Sequence, residues 1–220
     1  MRLLFWKFCA NALPGSRGVA FGGFLTFVGI SELAQACVTV RSTLQIGDDG
    51  GAHVTFTDCH NKEHVFAGGA LNVEEGLTVV SGTLEIARSS SVAGGVYDVG
   101  GGGLHIANGD LQQDGGRIKL WSSATKGSGG GLRIQSGGLH QHSGEISCRN
   151  CSAEHNGGCL AIEGEIKDVA RSGVNSSGSI TAEGCTAASG GAMAVHRSVW
   201  SFGNMIFKGC RAVDSGLAAI

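Results

Sequence analysis

Eight cysteines and eight histidines carry most of the chemistry this 220-residue chain could perform. Cys148-Arg-Asn-Cys151, followed by Cys159 and Cys185, has the close spacing of a zinc ligand set. Thiols placed this way can equally join as disulfides or pack as small apolar side chains. His105, His140 and His142 offer imidazoles for metal binding or proton transfer. Arg117-Ile-Lys119 and the pair Asp48-Asp49 supply cations and acids, and hydrolysis of a glycosidic bond needs two placed carboxylates. Asn150-Cys-Ser152 and Asn175-Ser-Ser177 are sequons, glycan acceptors if the chain enters a eukaryotic secretory route. Which of these groups meet depends on the elements that hold them.

Those elements repeat. A glycine pair followed by a small and then an apolar residue recurs as GGALNV at 68, GGGLHI at 101, GGGLRI at 129, GGCLAI at 157 and GGAMAV at 190, at spacings of 33, 28, 28 and 33 residues. Each copy is tied to an alternating segment that ends in cysteine or serine: Val54–Cys59, Leu84–Ser89, Ile118–Ser123, Ile146–Cys151, Ile180–Cys185 and Met205–Cys210. A third segment begins at Leu77, Leu111 and Leu139. Period-two alternation over such short stretches predicts strands, and self-similarity at this period predicts one unit stacked on itself. Three strands and three turns close one coil of about 25 residues at roughly 3.3 Å each. The expectation is an all-β, right-handed parallel β-helix of about six turns of 25–34 residues, spanning 37–220. Its inward ladders are Leu71, Leu104, Leu132, Leu160, Met193 and Phe56, Ile86, Leu120, Cys148, Ala182, Phe207. Glycine at 39 positions and a single proline suit continuous parallel pairing. The longer repeats place their extra residues at 90–100 and 165–172, read as loops at one corner. Only 31–36 and 167–171 look briefly helical.

The register redistributes the reactive residues. Cys59, Ser89, Ser123, Cys151, Cys185 and Cys210 fall in one structural column that wants a small, weakly polar side chain. Cys148 takes a core position and Cys159 replaces alanine or glycine. The cysteines are therefore read first as stacked small hydrophobes, with neither a metal nor another cofactor expected. Cys151 and Cys185, on adjacent turns about 4.8 Å apart, also lie within disulfide range. His105 falls on a different wall from His140 and His142, and all three are read as solvated surface. The outward glycine-strand positions Asn72, His105, Arg133, Ala161 and Ala194 include no acid. Asn175 is placed in a polar loop and is taken as the more accessible sequon.

A net charge of −2 with scattered basic residues argues against a nucleic-acid footprint. No apolar run reaches the ~20 residues of a transmembrane helix. Residues 1–36 carry two readings. Arg2, Lys7 and Arg17, an apolar stretch from Val19 to Ile30 and Ala34-Gln-Ala36 have the form of a secretory signal. Alternatively Leu4–Ala12 and Ser16–Gly23 form a degenerate first coil. At the other end Ser215–Ile220 resembles the start of a further glycine strand, so the chain is read as a fragment of a longer array that continues beyond either end.

With both halves of the repeat in view, the chain resembles the Gly-Gly-Ala-Ile/Leu and Phe-x-x-Asn repeats of polymorphic outer membrane proteins. It is also similar to the cysteine-bearing form in large repeat proteins of protists and algae. GGAL at 68–71, FTDC at 56–59 and FKGC at 207–210 carry the likeness over residues 51–220. Cysteine stands where the bacterial repeats have asparagine, and no carboxyl-terminal barrel follows. The resemblance implies the pectin-lyase-like fold and a secreted or surface scaffold with adhesin-like roles, engaging cell-surface glycans or proteins. A smaller likeness to polygalacturonases stops at Arg117-Ile-Lys119 and Asp48-Asp49. Their asparagine-threonine-aspartate and glycine-histidine-glycine runs are absent here. The expected function is thus a non-catalytic scaffold. The alternatives are a polysaccharide lyase or hydrolase working beside the glycine strands, and a spacer within a very long chain.

Overall fold

In the computed structural model the chain winds as a right-handed parallel β-helix built from strands alone among the described residues. Those residues are 10–12, 19–28, 31–33, 36–47, 51–61, 68–92, 100–164, 173–196, 198–216 and 218–219. Asp48-Asp49 and residues 167–171 lie outside them, as does most of 1–18.

Every rung crosses four walls, one more than the alternation predicts. The entry wall holds Thr43–Ile46, Gly76–Val79, Leu111–Gln113, Leu139–Gln141, Gly173–Ser176 and Ser198–Ser201. The long wall holds Ala52–Thr57, Thr83–Ala87, Arg117–Trp121, Glu145–Arg149, Ser179–Glu183 and Asn204–Lys208. The short wall follows, with pieces such as His60–Asn61, Ser90–Ser91, Ala124–Thr125 and Ser152–Ala153. The glycine wall closes the rung with Leu71–Val73, Leu104–Asn108, Leu132–Ser136, Leu160–Ile162 and Met193–Val195. Four of its seven strands have only two residues, too few to show a period, which is why the short wall reads as a turn in sequence. Residues 19–40 supply the first parallel strand of each wall, and Ser31–Leu33, which looks helical by composition, is one of them; Ala10–Ala12 adds an antiparallel edge strand to the entry wall beside Val19–Phe21.

Two devices make the corners. Just before the column residue the chain enters the left-handed region, at Asp58 (φ 57°), Arg88 (50°), Ser122 (51°), Asn150 (53°), Gly184 (64°) and Gly209 (61°). The glycine pair makes the other corner, and its two members serve different ends. The first needs positive φ: 79°, 82°, 73°, 64° and 60° at Gly68, Gly101, Gly129, Gly157 and Gly190. The second has no room for a side chain. A Cβ on Gly102 would lie 2.3 Å from the Gly130 carbonyl oxygen, and one on Gly130 as close to that of Gly158.

Inside, both apolar ladders run in the expected register from rung to rung. Phe56, Leu71, Ile86, Leu104, Leu120 and Leu132 are fully buried, and like-sized neighbours interlock along the axis. One inward ladder is polar: Gln113, Gln141 and Ser176 follow Val79 along the entry wall. Gln141 donates to Gln113 Oε1 at 3.0 Å and accepts from Ser176, while Gln113 donates to the carbonyls of Gly116 and Glu145 at 3.2 Å. Their burial is tolerated because these groups are bonded.

Most of the extra residues of the longer repeats, 93–99 and 165–172, lie outside the described residues. In chain order the first set falls between a short-wall and a glycine-wall strand, the second between a glycine-wall and an entry-wall strand.

Candidate functional site

The outer face of the long wall gathers the densest set of interacting side chains. Residues that alternate with its core ladder point outward, so a column two residues before the cysteine column runs Thr57, Ala87, Trp121, Arg149, Glu183, Lys208. Beside it run Lys119, Ser147, Thr181 and Ile206, then Arg117 and Glu145. From Trp121 onward, these side chains line a shallow groove of about 420 Å³. The Lys119 ammonium lies 5.7 Å and the Arg149 guanidinium 5.9 Å from the Trp121 ring centroid. Arg149 Nε stands 3.2 Å from Glu183, and Arg117 Nε 3.6 Å from Glu145. The groove lining carries four cations against two acids, although the whole chain is net −2. Such a surface offers an aromatic face, hydroxyls and excess positive charge to a ligand that is flat and anionic.

A second cluster lies on the outer face of the glycine wall, and here the sequence expectation fails. His105 is 2 % exposed and Arg133 4 %, so neither is solvated surface. His105 Nδ1 bonds Asn72 Oδ1 at 2.8 Å on the preceding rung. With Nδ1–H donating to the amide oxygen, Nε2 holds a bare lone pair, and it has no partner. Burial, reinforced by the Arg133 charge and opposed by the Gln135 amide, holds the imidazole down to about 3. Arg133 meets an acid after all: Nε donates to Glu163 at 3.1 Å and Nη2 makes a second, short bond to the same carboxylate. Its Nη1 is left without a partner. A neutral imidazole held beside a paired guanidinium is a rigid, dry arrangement rather than a metal site.

His140 and His142 belong to the entry-wall side, 3.7 Å from Asp110 and 2.9 Å from Asp114 respectively. Among the described residues no three histidine, cysteine or acidic side chains come together in a way that would hold a metal ion.

The column brings together all six residues assigned to it. Amides of the following rung bond the carbonyls of Cys59, Ser89, Ser123, Cys151 and Cys185 in turn. The thiols, however, are not uniformly free. Cys59 is joined to Cys37 and Cys148 to Cys159, so the reading of all cysteines as stacked small hydrophobes is corrected for these four. Sequence position hid both bonds, because Cys37 precedes the first copy of the repeated glycine motif, at Gly68, and Cys148 and Cys159 lie on different walls of one rung. Cys151, Cys185 and Cys210 are buried thiols, and the Cys151–Cys185 bridge is not formed. The two instead share a hydrogen bond, which lowers the Cys151 thiol from its ordinary value and pushes Cys185 up.

Arg117 and Lys119 lie on the outward side of a long-wall strand whose Ile118 and Leu120 are core, so that segment is explained by the register. Asn150 is exposed at a left-handed corner, with its Oδ1 over the next rung's Gly184. Asn175 is exposed on the strand Gly173–Ser176, paired with His140 and Trp200, and not in a loop.

Trp121 with Arg149, Glu183 and Lys208, and the Arg133–Glu163 pair, are the residues sequence reasoning missed. Counting back two places from each column residue would have found the first set. No helix of the described residues is long and apolar enough to cross a membrane. No family model, no curated protein and no solved structure matches this chain.

Proposed function

We propose that the chain is a non-catalytic, adhesin-like β-helix scaffold of the extracellular space or a cell surface, whose long wall binds a partner bearing acidic groups, an anionic glycan above all. The carrying observation is Trp121 set between Lys119 and Arg149 in a groove lined by four cations and two acids. Aromatic faces attract the apolar side of a sugar ring, and unbalanced cations attract its carboxylates or sulfates. Two disulfides support an oxidising compartment, where such bonds persist. The parallel coil itself is compatible with the pectin-lyase-like fold and with the Gly-Gly-Ala repeats.

The test is calorimetric titration of acidic and matching neutral oligosaccharides into wild-type protein and Trp121→Ala. Acidic glycans are expected to bind, with affinity falling about tenfold or more in the variant, as loss of a stacked aromatic contact of about 1.5 kcal/mol requires. Equal affinity in the variant would sink the assignment of the groove. The same samples are assayed for new reducing or unsaturated sugar ends, and cleavage would replace the scaffold reading with the lyase or hydrolase one.

A further inference from the structure

Cys37 and Cys159 occupy equivalent places in the repeat. Each immediately precedes a glycine-wall strand, in a ladder whose other members are Ala70, Gly103, Gly131 and Ala192. Cys59 and Cys185 are likewise equivalent, both being column residues. Cys59 lies one rung beyond Cys37, and Cys185 one rung beyond Cys159. The Cys37–Cys59 bond, with Cα atoms 5.9 Å apart, is thus a bridge between rungs. Its repeat equivalent is Cys159–Cys185. The bond Cys159 makes instead, to Cys148, stays within one rung at a Cα separation of 5.6 Å.

The rung of Gly103 shows that this position can touch both ladders. A Cβ on Gly103 would lie 3.1 Å from Ile86 Cγ2 in its own rung and 3.2 Å from Ser123 Oγ in the next. Ile86 is the ladder equivalent of Cys148, and Ser123 that of Cys185. A sulfur at this position therefore has a partner on either side.

We infer that Cys159 is a shared partner, whose disulfide exchanges between Cys148 in its own rung and Cys185 in the next. The Cys185 thiol gives up its proton to solvent base, and its thiolate attacks Cys159 Sγ. The Cys159–Cys185 bond forms as the Cys148–Cys159 bond breaks, and Cys148 leaves as a thiolate that takes up a proton. One disulfide and one thiol stand on each side, so no oxidant or reductant is consumed. The step is slow near neutrality, because Cys185 is buried and shares its proton with Cys151. Its effect is mechanical: the crosslink moves from closing one coil to fastening two coils together.

Disulfide mapping tests this. Trypsin separates Cys148 from Cys151 at Arg149 but leaves Cys151 and Cys159 in one peptide, so the work is done in Cys151→Ser, a residue the column already accepts at Ser89 and Ser123. Protein secreted through an oxidising route is held at about pH 8.5 for hours, a usual scale for uncatalysed rearrangement. It is then quenched with acid and N-ethylmaleimide and mapped without reduction. The same is done for the Cys148→Ala, Cys151→Ser double variant, since alanine already fills that core ladder at Ala182. Expected is a crosslinked peptide joining 150–167 to 172–197, alongside the Cys148–Cys159 form in the first protein and as the sole Cys159 bridge in the second. The bridge in the Cys151→Ser protein supports the exchange, the double variant serving to show that Cys159 and Cys185 can close. Its absence from the Cys151→Ser protein, with Cys159 bound only to Cys148, overturns it.

Discussion

Replacing His105 by glutamine removes a buried imidazole that the fold keeps neutral, and the consequence is a change in acid sensitivity. An unfolded histidine takes up a proton near 6.5, whereas His105 in the coil is held down to about 3. Between those values the unfolded chain binds a proton that the folded chain refuses. The stabilising contribution is therefore complete above 6.5 and is lost as pH falls toward 3, at about 1.4 kcal/mol per pH unit. From pH 7 to pH 4 the loss is about 3 kcal/mol, a large fraction of the 5–15 kcal/mol typical of a domain. Asp58, held below the usual carboxylate range by its Arg88 partner, loses its own contribution only at still lower pH, and does so in wild type and variant alike. Urea denaturation at pH 7, 5.5 and 4 should show wild type weakening more steeply than His105→Gln, the difference closing by about 3 kcal/mol at pH 4. Imidazole NMR gives the direct reading, with the His105 signal flat from pH 8 to 4. A His105 midpoint near 6.5, or parallel acid slopes in the two proteins, would refute the argument.

Two further substitutions probe the corners and the column. Gly102→Ala puts a methyl group 2.3 Å from the Gly130 carbonyl oxygen and 2.5 Å from that of Ala124, and backbone cannot step aside as a side chain can. A loss of about 3 kcal/mol or more in thermal or urea denaturation is expected, and a change below about 1 kcal/mol would mean that neighbouring rungs are not in such close contact. Ser123→Ala should act the other way. The Ser123 hydroxyl is buried without a partner, so removing it is expected to stabilise by about 1 kcal/mol, and a clear destabilisation would reveal a bond it makes.

The coil was legible because its constraints are periodic. Glycine pairs, the column and the inward Leu and Phe ladders recur at one spacing, and each recurrence confirms the others. What sequence hid was whatever depends on contacts between rungs. Arg133 and Glu163 are 30 residues apart and meet because Glu163 extends the strand beside Arg133. His105 reads as surface from its outward parity, yet it is 2 % exposed, set between Asn72 and Arg133 of the adjacent rungs. Disulfides were hidden for a related reason, since a column position specifies size and not oxidation state. The short wall was missed because two residues cannot display a period.

The same separation bears on where a binding site can arise in such a molecule. Inward and corner positions are fixed by stacking: a Cβ on Gly102, or the wrong volume beside Leu120, is felt by the rungs on both sides. Outward long-wall positions carry no such demand, which is why Thr57, Ala87, Trp121, Arg149, Glu183 and Lys208 share one column and almost no chemistry. Variation confined to one column produces a line of unlike side chains at strand spacing, about 4.8 Å apart, along a straight face. That geometry suits an extended, repeating ligand better than a compact one, because successive ligand units meet successive rungs. Trp121 with its two flanking cations is where that line is richest, and a long acidic polymer should consequently bind the wall more tightly than its own short fragments.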